Sequence, residues 1–178
     1  NEQIELTKKE IEYFDSLLTL MDNASYYDAL EIKEELENLG YLKKKKKINT
    51  IRKNKKPAFE TYYTKDNIEI SVGKNNLQND YLTFKHAHRY DTWFHVKDMP
   101  GSHVVVKGDQ LDEYTIRLAS NIAACYKGKN SSSVPVNYTL IKTLKKPHGA
   151  KPGQVILDSY KTIYIDPDIS CLNELKKK

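Results

Sequence analysis

Cysteine is almost missing: Cys125 and Cys171 are the only two in 178 residues. That excludes a disulfide-stapled scaffold and a cysteine-rich zinc site, and it makes a reducing compartment the simpler reading. Seven glycines and six prolines are too few for a fibrous or Gly/Pro-rich disordered chain. No apolar run approaches the roughly 20 residues of a membrane helix, so no membrane partner is expected. No initiator Met precedes Asn1, which starts inside a helical pattern, and the chain reads as a fragment of a longer protein.

What is present is charge, unevenly spread. The net charge is +5. Residues 1–42 carry 3 basic and 11 acidic side chains, residues 43–56 carry 9 basic and none acidic, and residues 57–178 carry 17 and 13. An acidic piece, a basic strip and a mildly basic domain suggest a junction facing a polyanion, or a solvated linker. The acidic face of the first piece is expected to look into solvent.

Ile4, Thr7, Ile11, Phe14, Leu18 and Met21 alternate three and four apart, the seam of an amphipathic helix over 4–21. Ser25 followed by Asp28 reads as a capping box, Ala29, Ile32, Leu36 and Leu39 form a second stripe, and Gly40 is a helix stop. The predicted organisation is an antiparallel helical hairpin over 1–42, the end of a coiled coil; a basic linker over 43–56; and a domain over 57–178. Within the domain, strands are expected near 61–64, 68–72, 93–97, 103–107, 134–140 and 155–165. Helices are expected at 76–88 and at 112–126, where Ile116, Ala119, Ala123 and Tyr126 share a stripe. Lys127–Ser133 is a polar loop and Lys176–Lys178 a frayed tail. Strands outnumber helices without regular alternation. The fold class is α+β, with a mainly antiparallel sheet and packed helices.

Chemistry concentrates in residues 85–107. In a strand, Phe94 and Val96 point one way while Asp91, Trp93, His95 and Lys97 point the other. If that strand pairs with the next, His95 approaches His103. Three readings compete. A metal site would use His86, His88, His95 or His103, but the spacings match no established ligand pattern. Acid–base catalysis would use His95 with Asp91 or Asp98. A nucleic-acid surface would set Lys and Arg on phosphates and stack a Trp or Tyr, Trp93 foremost, on an unpaired base. The structural alternative is a half-buried Trp93 with its histidines satisfied by backbone. A second basic cluster surrounds Lys142, Lys145, Lys146, His148 and Lys151, where glycines allow close backbone approach to a ligand.

The string DTWFHVKDMPGSHV at 91–104, with GKNN at 73–76 and KPHGAKPG at 146–153, resembles the signature of the NFACT-R domain. The resemblance covers about residues 57–170, and the hairpin is similar to the returning end of that family's coiled coil. It implies one of two roles: a ribosome quality control factor that binds the large subunit and tRNA, or a fibronectin/fibrinogen-binding surface adhesin. Family members also carry an NFACT-N domain, expected to be missing here. The matching positions are Lys74, Asn75, Asn76, Lys85, Asp91, Trp93, His95, Lys97, Asp98, Pro100 to His103, Lys146, Pro147, Gly149 and Lys151 to Gly153.

The leading expectation is a non-enzymatic module without cofactor or metal. It would be cytoplasmic, binding large-subunit RNA and tRNA, and joined through its coiled coil to the N-terminal part of its own chain. Lys74, Lys85, Lys97, Lys107, Lys146 and Lys151 would meet phosphates and Trp93 or His95 would stack. Asn75, Asn76, Arg89, Asp91, Asp98 and His103 complete the candidate surface. The alternative is an adhesin fragment with a fraction at the cell surface.

Overall fold

The computed structural model describes residues 2–22, 24–44, 56–125 and 132–177. Most of the basic strip (45–55), Tyr126 and residues 127–131 of the polar loop lie outside them, as do Asn23 and Lys178.

Two helices come first, α1 (Glu2–Met21) and α2 (Tyr26–Asn38). The capping box forms: Ser25 Oγ accepts from the Asp28 N–H while Asp28 accepts from the Ser25 N–H. Gly40 follows with φ +84°, a left-handed conformation that ends the helix. The predicted α1 seam is corrected. Ile4, Ile11, Phe14, Leu18 and Met21 are exposed, and Tyr13, Leu17 and Leu20 are buried instead. Rotation about the helix axis places next to α2 the stripe whose tyrosine finds a polar partner. Tyr13 Oη donates to Glu35 Oε1 at 2.8 Å, and the Tyr13 ring packs with Ile32. On α2, Ile32 and Leu36 hold the packed side, while Ala29 and Leu39 are exposed.

The domain is built on one antiparallel sheet, in spatial order β8-β5-β3-β4-β2-β1-β9. Its strands are β1 (Glu60–Tyr63), β2 (Glu69–Val72), β3 (Thr92–Val96), β4 (Val104–Val106), β5 (Val134–Leu140), β8 (Lys161–Ile165) and β9 (Lys176–Lys177). Two short strands, β6 (Leu144–Lys145) and β7 (Ile156–Leu157), pair beside it. The tail is therefore not frayed at Lys176 and Lys177. They pair with Tyr63 and Tyr62, and Lys177 Nζ reaches Glu60 at 2.6 Å.

Both sheet faces are covered. Phe94, Val96, Val104 and Val106 pack under α4 (Glu113–Cys125), whose Ala119 and Ala123 allow close approach. On the other face, Trp93 and Val105 pack with Leu82 and Leu144. Leu82 opens a π-helical turn (Leu82–His86) that continues α3 (Asn76–Tyr81). The alternation along β3 holds, but its polar-looking side is a second core.

Glu35 is buried at the seam between hairpin and domain. Burial raises its pKa despite hydrogen bonds from Tyr13 and Asn76. A carboxyl raised in the folded state contributes stability that is full below its unfolded value and lost as pH rises through the folded one. Glu35→Gln stays neutral throughout. Urea midpoints of the two proteins should come together as pH falls below the ordinary glutamate value of 4.5, and the variant should become the more resistant by pH 8.

Candidate nucleic-acid interface

β3 runs between two ends of the sheet that differ in chemistry. Its register, Thr92 against Leu140 and Val106, gathers Arg89, Tyr90, Lys107, Lys142 and Lys161 at its N-terminal end. His95, Lys97, Asp98 and His103 lie at the other, roughly 13 Å away at ~3.3 Å per residue.

At the second end the three signature segments converge on the hairpin. Lys74 Nζ lies 2.8 Å from Asp28 and 3.4 Å from Glu60. Asn75 caps α3 and donates Nδ2 to Glu31 at 2.8 Å; Asn76 donates to Glu35 at 3.3 Å. Gln78 Nε2 bridges Asp28 and Glu31 at 2.7 and 2.8 Å. Burial alone would raise the Asp28 carboxyl, but hydrogen bonds from Lys74, Ser25 and Gln78 together hold it below its ordinary value. Lys151 sits 3.8 Å over the Tyr13 ring and donates to Tyr41 Oη at 2.9 Å. Lys146 pairs with Asp80 beside Phe84. The Gly153 N–H also goes to Asp80, and its φ of +80°, with a Cβ that would sit 3.2 Å from Asn76 Oδ1, disfavours a side chain there.

These contacts correct several expectations. Lys74, Lys146 and Lys151 are engaged within the protein rather than presented to phosphates. Asn75 and Asn76 are buried docking groups, and the acidic stripe Asp28–Glu31–Glu35 faces the domain, not solvent. Trp93 is 0% exposed, so no base can stack on it. Asp91 is buried at the far end, accepting from His88 N–H at 2.8 Å and Gly108 N–H at 3.1 Å, so it is not a partner of His95.

His95 and His103 do meet, with ring centroids 5.1 Å apart and both rings against Trp93. Burial lowers the His95 pKa to about 4, with backbone hydrogen bonds at Gly101 and Val96 opposing only in part. His103 is also held neutral by burial, and its Nδ1 lies 2.7 Å from Thr83 Oγ1. The pair opens on a cleft of about 550 Å³ against α1, lined also by Asp98, Met99 and Gly101. Among the described residues no group of three or more His, Cys, Asp or Glu is placed to hold a metal.

The first end presents free cations. Lys85, Arg89, Lys107 and Lys142 are exposed and form no ion pair among the described residues. Backbone bonds Ile141 N–H to Asp91 O and Lys142 N–H to Arg89 O, both 3.0 Å, zip their two turns together. Between them stands Tyr90, 50% exposed, with Arg89 Cζ 5.1 Å and Lys142 Nζ 5.0 Å from its ring centre. A half-exposed ring with two cations over it puts positive charge for phosphates beside an aromatic surface that a base reaches when a cation swings to its phosphate. Sequence reasoning missed Tyr90. The signal was its place between Arg89 and Asp91, just outside the strand.

Residues 58–159 match the family model described as the NFACT protein RNA binding domain, which is more than half of the chain. The chain belongs to the NFACT family. Its hairpin and basic strip, residues 1–56, match the model for the NFACT N-terminal and middle domains. Among curated proteins, the chain is 49% identical to the Rqc2 homolog RqcH of Bacillus subtilis over 99% of its own length and 31% of that protein. It is 39% identical to the RqcH of Streptococcus pneumoniae strain D39, over 98% and 32%. It thus spans about a third of these NFACT relatives. A solved structure of the C-terminal part of the fibronectin/fibrinogen-binding protein from Streptococcus suis matches with a TM-score of 0.88 at 40% identity, covering 98% of this chain and 70% of that one. In this NFACT domain, then, most signature residues line the docked hairpin end, while Asp91 and the free cations lie opposite.

Lys74 tests that division. Lys74→Ala leaves the Asp28 carboxylate largely buried beside Glu60, at a cost of about 2 kcal/mol. The urea midpoint should fall without a change in slope, and affinity for RNA should stay within error of the parent at temperatures where both are folded.

Proposed function

We propose that this chain is the RNA-contacting module of a ribosome quality control factor, meeting large-subunit RNA or tRNA through the sheet end built from Arg89, Tyr90, Lys107 and Lys142. The observation that carries the reading is Tyr90, half exposed between two cations at about 5 Å, in a domain of an RNA-binding family. Lys and Arg neutralise phosphates and release counterions, while the ring accepts any base. The histidine end supports the same reading by default: its histidines are neutral at physiological pH and its signature lysines are committed to the hairpin. On this reading the module is not an enzyme and works in the cytoplasm. No helix among the described residues is long and apolar enough to cross a membrane. The adhesin alternative is not favoured, since it draws only on the name of the similar Streptococcus suis protein.

Salt titration of RNA binding tests this. The log–log slope should be clearly negative, and Lys142→Ala should reduce its magnitude by about 0.7–0.9, one phosphate contact. Tyr90→Ala should weaken binding by about 1–3 kcal/mol and leave the melting temperature near that of the parent. Trp93→Ala should instead destabilise the fold by about 3–5 kcal/mol. A slope near zero would defeat the proposal.

A further inference from the structure

A cavity of about 510 Å³ opens beside the basic end, between the start of α4 and the ends of β3, β5 and β8. Leu111 and Ile116 form its apolar side and Tyr138 lines it from the sheet. The Tyr138 ring is held in place by stacking on Phe94, 5.5 Å between centroids and 15° between planes. Exposed Asp109, Tyr160 and Lys161 make the rim. The walls are firm: Thr139 Oγ1 donates to Ser159 O at 2.7 Å, and Thr92 Oγ1 donates to Gly108 O at 2.7 Å. Thr92 and Leu140 are register partners that both line the cavity. Tyr90 precedes the first by two residues and Lys142 follows the second by two, so the cavity lies next to the basic aromatic end along both strands.

We propose that this cavity takes one unpaired RNA base, and that the chain engages single-stranded rather than duplex RNA at this end. The inference rests on the RNA-binding reading above and names its ligand more narrowly. The volume falls within the roughly 300–1,000 Å³ of small-ligand sites, enough for one nucleoside. The lining has the parts a base needs: tyrosine rings for its π face, aliphatic groups for its edges and Lys161 for a phosphate. A base inside a duplex is paired and stacked and cannot enter. Asp109 adds selectivity. Its carboxylate accepts from an exocyclic amino group, as acidic side chains do from cytosine N4, and meets only carbonyl oxygen at the matching position of uracil. The pocket therefore favours amino-bearing bases over uracil. Of the signature strings only Thr92 lines it, and the histidine cleft does not contribute.

The test uses the 178-residue chain with fluorescein-labelled oligocytidine, oligouridine and a duplex RNA of equal charge, read by anisotropy at one salt concentration. Oligocytidine should bind more tightly than oligouridine or the duplex. Leu111→Trp, which fills the cavity, and Tyr160→Ala, a rim change that leaves the core untouched, should each weaken oligocytidine binding about tenfold and leave duplex binding unaltered. Asp109→Asn should narrow the gap between cytidine and uridine. The pocket is refuted if both cavity variants bind oligocytidine like the parent, or lose single strand and duplex equally. The RNA reading itself fails separately, if the parent chain binds none of the three RNAs.

Discussion

The Lys74–Asp28 ion pair, with the amides packed around it, holds the helical hairpin to the domain and sets the geometry of that end of the molecule. Two charges leave water here, and the cost is offset by the hydrogen bonds gathered around them, although Glu35 Oε2 is buried without a partner. Asp28 receives Lys74, Ser25 and Gln78; Glu31 receives Asn75 and Gln78; Glu35 receives Tyr13 and Asn76. Apolar packing between the two bodies is slight by comparison, so orientation comes from these directional bonds. The hairpin in turn supplies Tyr13 and Tyr41 as the seat for Lys151, which fixes the loop that closes over the histidine pair.

Such docking divides the molecule into an end that is used up and an end that is open. At the hairpin end, Lys74, Lys146 and the asparagines are taken up by acidic partners and Lys151 by tyrosines, and histidines are kept neutral by burial. At the other end, Asp91 spends its carboxylate on two backbone N–H groups, which shapes the turn but neutralises none of the nearby cations. The mild positive charge of the domain therefore acts where it is not internally cancelled. Counting basic residues finds neither place; their partners do.

Local structure was legible because it rests on local rules. The Ser25–Asp28 capping box, the Gly40 stop, the period-two alternation in β3 and the meeting of His95 with His103 all follow from backbone geometry and short spacing. The α1 seam misled because two apolar stripes lie about 100° apart on one helix. Burial of the Tyr13 stripe was decided by Glu35, a residue 22 positions away. Trp93 misled for a similar reason. Alternation tells which residues share a side of a strand but not whether another layer covers that side. Leu82 and Leu144, from distant segments, cover it.

The sequence by itself determined the α+β class, the central strands and the charge division, since propensity, periodicity and composition are properties of neighbours along the chain; the pairing of β9 came from the fold. It also carried a family signature, but not what each signature residue does. Tertiary structure alone decided which of the lysines remain free, that Trp93 is core and Tyr90 is surface, and that the acidic stripe of α2 is a docking face. Those outcomes depend on which residue meets each charge or ring across long separations, and pairing and burial at a distance are set by the packed fold rather than by local pattern.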